Sequence, residues 1–238
     1  FRVGEASGYE KNLWDTGKRD YGGRIEMKVE LENVKPMEIE KRSFEIITEE
    51  LGDTPLIPGT ELIVKRCIHT SADFDYAKTM TYSAHAVGIA KKLIQNGADI
   101  VTDTNMALAG VNKKELAKYG GKAHCFMAEE EVAKIAKERG VTRAAVSMEK
   151  AAQIEKPVIF TIGNAPTALI ELYEMIQSGK YRPAFIIGVP VGFVNVEAAK
   201  DLILKTDVPY IINRGRKGGS NIAAAICNAL LYELRDEN

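Results

Sequence analysis

The amino-acid sequence predicts one α/β domain of the doubly wound kind, a mainly parallel β-sheet covered by helices on both faces. Three observations carry that reading. Short apolar runs at 98–101, 158–162, 184–187 and 210–212 lack polar alternation, as strands buried on both sides do. Apolar stripes at helical spacing lie between the runs, which is the order of a parallel sheet with helical crossovers. A chain of 238 residues is long enough for one sizeable core and short for two.

Taken in order, the first element is a helix over 36–51, where Met37, Phe44, Ile47 and Leu51 recur at helical intervals with Ser43 beside the stripe. Gly52 and Pro55 end it. The run 61–68 is too short for periodicity to decide between strand and helix, and we read it as helix. Further helices are marked by Ala86, Val87, Ala90, Leu93 and Ile94, by Val132, Ile135 and Ala136, and by Val196, Ala199 and Ile203. Ile222, Ala225, Ile226, Ala229 and Leu230 mark the last. Residues 1–26 lack the apolar core of a signal peptide and carry several glycines and charges ahead of Met27. They are read as an N-terminal extension, with 27–238 as the single domain.

Composition narrows the function. With 45% apolar residues and no run approaching a membrane span, the chain reads as soluble rather than membrane-embedded. A formal charge of -1 gives no broad electrostatic reason to bind nucleic acid or an anionic membrane, so any anion site is built locally. Cys67, Cys125 and Cys227 are odd in number, far apart and without C-x-x-C spacing. That pattern offers no zinc site and suits a reducing compartment, and we expect a cytoplasmic protein.

In an open parallel sheet ligands bind at the carboxyl ends of the strands, so the residues after each apolar run are the informative ones. They are Thr102-Asp103-Thr104-Asn105-Met106, Gly163-Asn164-Ala165-Pro166-Thr167, Gly188-Val189-Pro190-Val191-Gly192-Phe193 and Asn213-Arg214-Gly215-Arg216-Lys217-Gly218-Gly219-Ser220. In the last, three cationic side chains stand beside glycines whose backbone N–H groups can approach a carboxylate or phosphate, ahead of a helix start. The plainer alternative is a solvated glycine-rich turn with Ser220 as an N-cap. The segment matches neither G-x-x-x-x-G-K-[ST] nor G-x-G-x-x-G, which argues against a nucleotide. Asn164 either caps a helix starting at Pro166 or contacts a ligand, and Asp103 either caps a helix or holds a substrate. His69 is able to donate or accept a proton near neutral pH, with Asp73 or Asp75 close enough in sequence to orient it. A hydrogen-bonded structural role for it is equally open. His85 and His124, in helix and strand contexts respectively, read as structural or surface residues.

Taken together, these segments resemble the precorrin-8X methylmutase family, the precorrin isomerases, which includes cobalt-precorrin-8 methylmutases. The resemblance runs from about 39 to 231, and its motifs fall in the family's order. They are Ser43-Phe44, Arg66-Cys67-Ile68-His69-Thr70-Ser71-Ala72-Asp73, Thr102-Asp103-Thr104 with Met106, and Thr142-Arg143. The segments 163–169 and 188–194 and Gly215-Arg216-Lys217-Gly218-Gly219-Ser220 complete the set. It implies a flavodoxin-like three-layer α/β/α fold, a homodimer, no cofactor and no protein-held metal. The implied substrate is precorrin-8X or cobalt-precorrin-8, a ring-contracted tetrapyrrole rich in carboxylates. The implied reaction moves a methyl group from C-11 to C-12 and gives hydrogenobyrinic or cobyrinic acid.

By the same resemblance His69 is the catalytic residue and Ser43, Thr104 and Arg143 are substrate contacts. Arg66, Arg214 and Arg216 are expected to take carboxylates, because guanidinium pairs with carboxylate through two parallel hydrogen bonds, and Asn164 joins them as a binding residue. Lys217 stands where an arginine is expected and lacks that planar fork. Two other classes compete with this reading: a corrinoid-binding protein without turnover, and a phosphate-dependent enzyme using 215–220.

Overall fold

Six strands build one sheet: β1 (Met80–Tyr82), β2 (Asp99–Thr102), β3 (Ala123–His124), β4 (Val158–Ile162), β5 (Phe185–Gly188) and β6 (Tyr210–Asn213). They belong to a computed structural model that describes Glu32 and residues 34–237, so the expected extension at 1–26 lies outside the described residues. Two units divide at Glu38. The N-terminal one contributes the 3-10 turn Pro36–Glu38, and all else below belongs to Ile39–Asn238.

The helices of that second unit are α1 (Ile39–Leu51), α2 (Glu61–Ser71), α3 (Tyr76–Thr79), α4 (Ala86–Gln95), α5 (Asn105–Gly110) and α6 (Lys113–Lys118). They continue with α7 (Glu130–Arg139), α8 (Arg143–Ala151), α9 (Pro166–Gln177), α10 (Val196–Leu204) and α11 (Ser220–Asp236). The helix expected from Pro36 therefore starts at Ile39, and Met37 falls in the separate 3-10 turn. The ambiguous run after Pro58-Gly59 is helical and extends through Ser71.

The strand order is β1-β6-β5-β4-β2-β3. β2 pairs in parallel with β3 and β4, β4 with β5, and β5 with β6, while β1 alone runs antiparallel, on β6. Leaving out that edge strand, the order of the five parallel strands is the 2-1-3-4-5 order of flavodoxin-like sheets. Alternation along the strands separates two cores. Ile100, Ile159, Phe185, Ile187 and Ile211 pack with Ile63 and Ile68 of α2, Ile94 of α4 and Ile226 and Leu230 of α11. Val101, Phe160, Ile162, Ile186 and Ile212 pack with Met148 of α8, Leu169 and Leu172 of α9 and Ile203 of α10. The result is the expected three-layer sandwich, with both sheet faces buried.

The strand order reverses between β2 and β4, since the chain leaves β2 outward for β3 and returns to β4. Ligands of such sheets bind at the carboxyl ends of the strands at that crevice.

Candidate active site

At the crevice, Asp103 follows β2 with no solvent exposure. Its Oδ1 accepts the Gly163 N–H at 2.8 Å, and its Oδ2 accepts those of Asn164 at 2.8 Å and Ala165 at 2.6 Å. Burial pushes its pKa up, and the three donors oppose that by favouring the carboxylate. A helix cap is not what is seen: Asp103 binds N–H groups that precede α9 and fastens β2 to the turn between β4 and that helix. Asn164 does not cap that helix, whose N-cap is Ala165 with no side-chain bond. The Asn164 side chain is exposed at the rim.

Thr104 is the N-cap of α5, its Oγ1 accepting the Ala107 N–H at 3.1 Å, and it lies 2.7 Å from Ser220 Oγ. Ser220 is therefore not the N-cap of α11. That position is Gly219, without a side-chain cap. Gly163 makes the junction: a Cβ there would sit 2.8 Å from Ser220 Cα and 2.9 Å from Gly219 O, so only glycine lets β4 and α11 approach this closely.

The glycine-rich segment leaves β6 through the buried Asn213, whose Oδ1 accepts from Thr79 Oγ1 at 2.5 Å. Arg214 is exposed, and its N–H is bound by Thr79 O at 2.9 Å. Arg216 pairs with Glu197 at 2.8 Å, its guanidinium 5.5 Å from the Phe193 ring centre. Lys217 binds Asp73 at 2.7 Å and Asp75 at 2.5 Å. The two carboxylates hold its pKa well above the usual lysine range, and Lys217 holds that of Asp73 below its ordinary value.

That pairing corrects one expectation. Asp73 and Asp75 are turned to the Lys217 ammonium, so they do not orient His69. His69 sits exposed in the last turn of α2, its ring stacked on Phe44 with centres 5.4 Å apart. Behind it Arg66 binds Glu40 at 2.7 Å and lies 5.3 Å from the Phe44 ring centre and 4.4 Å from that of Tyr232. Arg66 Nε is buried without a hydrogen-bond partner among the described residues. Ser43 donates its hydroxyl back to Ile39 O at 2.9 Å. Arg143, the first residue of α8, is exposed and lines a shallow depression with Lys134, Lys137 and Val141. The start of α8 is tied to that of α9 by Thr142 Oγ1, which donates to Thr167 Oγ1 at 3.0 Å. His85 is the N-cap residue of α4, and His124 pairs with Asp99 at 2.9 Å, both in keeping with structural roles.

The expected residues thus fall into three groups: Thr104 and Asn164 at the crevice, Arg214 and Arg216 at the end of β6, and His69 with Ser43 and Arg66 on α1 and α2. The Lys217–Asp73 pair joins the last two groups. Arg143 stands apart on α8. The sequence reading left the apolar part of the rim unassigned. Met106 is 71% exposed, Phe193 83% and Val194 78%, and all three follow carboxyl ends of parallel strands. Apolar residues four to six positions after a strand end were the available signal. A cavity of about 580 Å³ beside Glu61 and Tyr82 lies at the opposite end of α2 from His69. Among the described residues no group of three or more His, Cys, Asp or Glu is placed to hold a metal ion.

A family model described as precorrin-8X methylmutase matches residues 38–233. A protein of Priestia megaterium named cobalt-precorrin-8 methylmutase is 43% identical over 197 residues, covering 83% of this chain and 88% of its own. One of Pseudomonas aeruginosa named precorrin-8X methylmutase is 36% identical over 197 residues, covering 82% and 94%. A solved structure of a precorrin-8X methyl mutase from Thermus thermophilus superposes with a TM-score of 0.77 at 37% identity, covering 84% of this chain and 98% of that one.

Proposed function

The chain belongs to the precorrin-8X methylmutase family, whose members are isomerases, and on that premise we propose that it moves the C-11 methyl group of precorrin-8X or cobalt-precorrin-8 to C-12. The observation that carries the reading is the make-up of the rim, where exposed Met106, Phe193 and Val194 stand at the same sheet end as Arg214 and Arg216. A flat macrocycle with a carboxylate periphery needs apolar surface for its face and cations at its edge. Holding the reacting atoms in place supplies much of the rate of such an intramolecular shift.

In this reading His69 gives a proton or hydrogen bond to the ring nitrogen beside C-11, which makes the ring a better electron sink as the methyl group leaves. Arg214 and Arg216 take carboxylates, Arg216 exchanging Glu197 for the substrate. Thr104, Asn164 and Arg143 supply further polar contacts. Ser43 and Arg66 do so by giving up their present bonds to Ile39 and Glu40. Cobalt, where present, arrives on the substrate.

Incubation with metal-free and with cobalt-containing precorrin-8, followed by visible absorption, tests the activity. Conversion of at least one is expected. Binding without conversion of either would favour a corrinoid-binding protein instead.

We further infer a homodimer whose two sites are completed across the interface, supported by the size of the ring to be enclosed and by the prevalence of twofold assemblies. Sedimentation should show a dimer at assay concentrations, and a fully active monomer would reject it. A cytoplasmic location is supported by free Cys67, Cys125 and Cys227. No helix among the described residues is long and apolar enough to cross a membrane.

A further inference from the structure

Lys200 lies on α10 outside the groups described so far, and it is 1% exposed. Lysine is almost never buried to that degree without a partner. Here the partners are not carboxylates: among the described residues no acid lies within ion-pair distance of its Nζ. The Nζ instead donates to Gly215 O at 2.7 Å and to Lys217 O at 3.0 Å.

The carbonyl between those two is also engaged, since Arg216 O accepts the Gly192 N–H at 3.1 Å. Lys217 O accepts a second bond, from Asn213 Nδ2 at 2.9 Å. Three consecutive carbonyls are thus turned into the protein. The N–H groups flanking them are bound, Arg214 to Thr79 O and Gly219 to Val189 O, each at 2.9 Å. Among the described residues, the four N–H groups of Gly215, Arg216, Lys217 and Gly218 have no intramolecular acceptor. A peptide whose carbonyl points inward presents its N–H outward, and successive free N–H groups in a turn form an anion-binding concavity. The path is held from the other side by Gly218, whose φ is 155° and where a Cβ would sit 2.0 Å from Val189 O. The 17-residue α11 starts directly after this segment, without a side-chain cap.

We propose that Lys200 is the positioning residue of a carboxylate-receiving loop, pulling the carbonyls of Gly215 and Lys217 inward, as the Gly192 N–H does that of Arg216, so that the N–H groups of Arg216, Lys217 and Gly218 face a carboxylate of the substrate. The proposal rests on the methylmutase reading and names the part of the site that takes the ring's periphery. The Lys200 ammonium also sits behind the loop as a buried positive charge. Burial lowers its pKa to about 8, which the neighbouring Glu197 opposes. A neutral amine would still carry two donors for the two carbonyls.

Lys200→Met tests the idea, because it keeps length and apolar stem and removes every donor. The change removes a buried charge that has no ion-pair partner, Lys217 O would keep its bond from Asn213, and Gly215 is exposed, so that water can replace the lost donor to its carbonyl. The variant should bind hydrogenobyrinic and cobyrinic acid at least tenfold more weakly and raise KM similarly, while kcat stays within about threefold. A merely structural lysine would instead lower the unfolding temperature and leave product affinity unchanged. In the wild type, saturation with cobyrinic or hydrogenobyrinic acid should slow hydrogen exchange at the amides of 216–218, a readout that does not depend on any variant folding. Product affinity of Lys200→Met within twofold of wild type, or no added protection at 216–218 in a product-bound wild type, overturns the proposal and leaves the methylmutase reading standing. A wild type that neither binds nor converts any corrinoid overturns both.

Discussion

His69→Ala should fold, bind the corrin product and lose methyl migration by about 10² to 10⁴, the usual range of general acid assistance. Folding should survive because the imidazole is exposed at the end of α2 and its observed ring contact is the stack on Phe44, a contribution of about 1 kcal/mol. Binding should survive because the carboxylate contacts proposed above fall to Arg66, Arg214 and Arg216 rather than to the imidazole. A loss confined to the chemical step marks an interaction made only as charge develops, and it lowers kcat far more than affinity. Thermal unfolding, product affinity and single-turnover rate measured on one preparation separate the outcomes. Turnover within a few-fold of wild type would remove His69 as the acid, and a joint fall in stability and affinity would make it structural.

The central sheet was legible because its strands are buried on both faces. Val158–Ile162 and Phe185–Gly188 are apolar almost throughout, and such runs survive any choice of register. Of the edge strands, β1 was not, and β3 only as the strand context of His124. Met80–Tyr82 and Ala123–His124 exist through pairing with Asn213 to Ile211 and with Ile100 and Val101, and two or three residues carry no period of their own. Helix α8 hides for a different reason: of its buried residues Ala144, Ala145, Val146, Ser147, Met148 and Ala151, half are alanine, which marks an apolar stripe weakly. Pro166 marked the start of α9 correctly.

At the site, residue types were legible and their partners were not. Nothing near Asp103 in sequence shows that its carboxylate meets N–H groups 60 to 62 residues later. Lys217 read as a free cation, but folding sets it between Asp73 and Asp75, and the same pairing withdraws those carboxylates from His69. Lys200 looks like a polar-face residue of VEAAKDLIL, and it becomes buried where the 215–217 carbonyls fold onto it. Local pattern reports which chemistry a segment can offer. Contacts across the chain decide which of it is already occupied.

Asp103→Ala should cost about 3 to 5 kcal/mol of stability, because it removes the acceptor of three backbone donors at the crevice and leaves the buried Gly163 N–H without a partner. For a domain near this size that corresponds to a fall of roughly 6 to 20 °C in Tm. Asp103→Asn should not rescue it. One carboxylate oxygen serves Gly163 and the other serves Asn164 and Ala165, so an amide must point its NH2 at one of those donors whichever way it is turned. Both variants should also loosen the junction where Gly163 meets the start of α11, and with it the placement of Asn164 and Ser220. Thermal or urea unfolding of wild type and both variants decides the matter. An Asn variant melting within about 2 °C of wild type would show that the three N–H groups find water or another acceptor, and that Asp103 is not what fastens β2 to the β4–α9 turn.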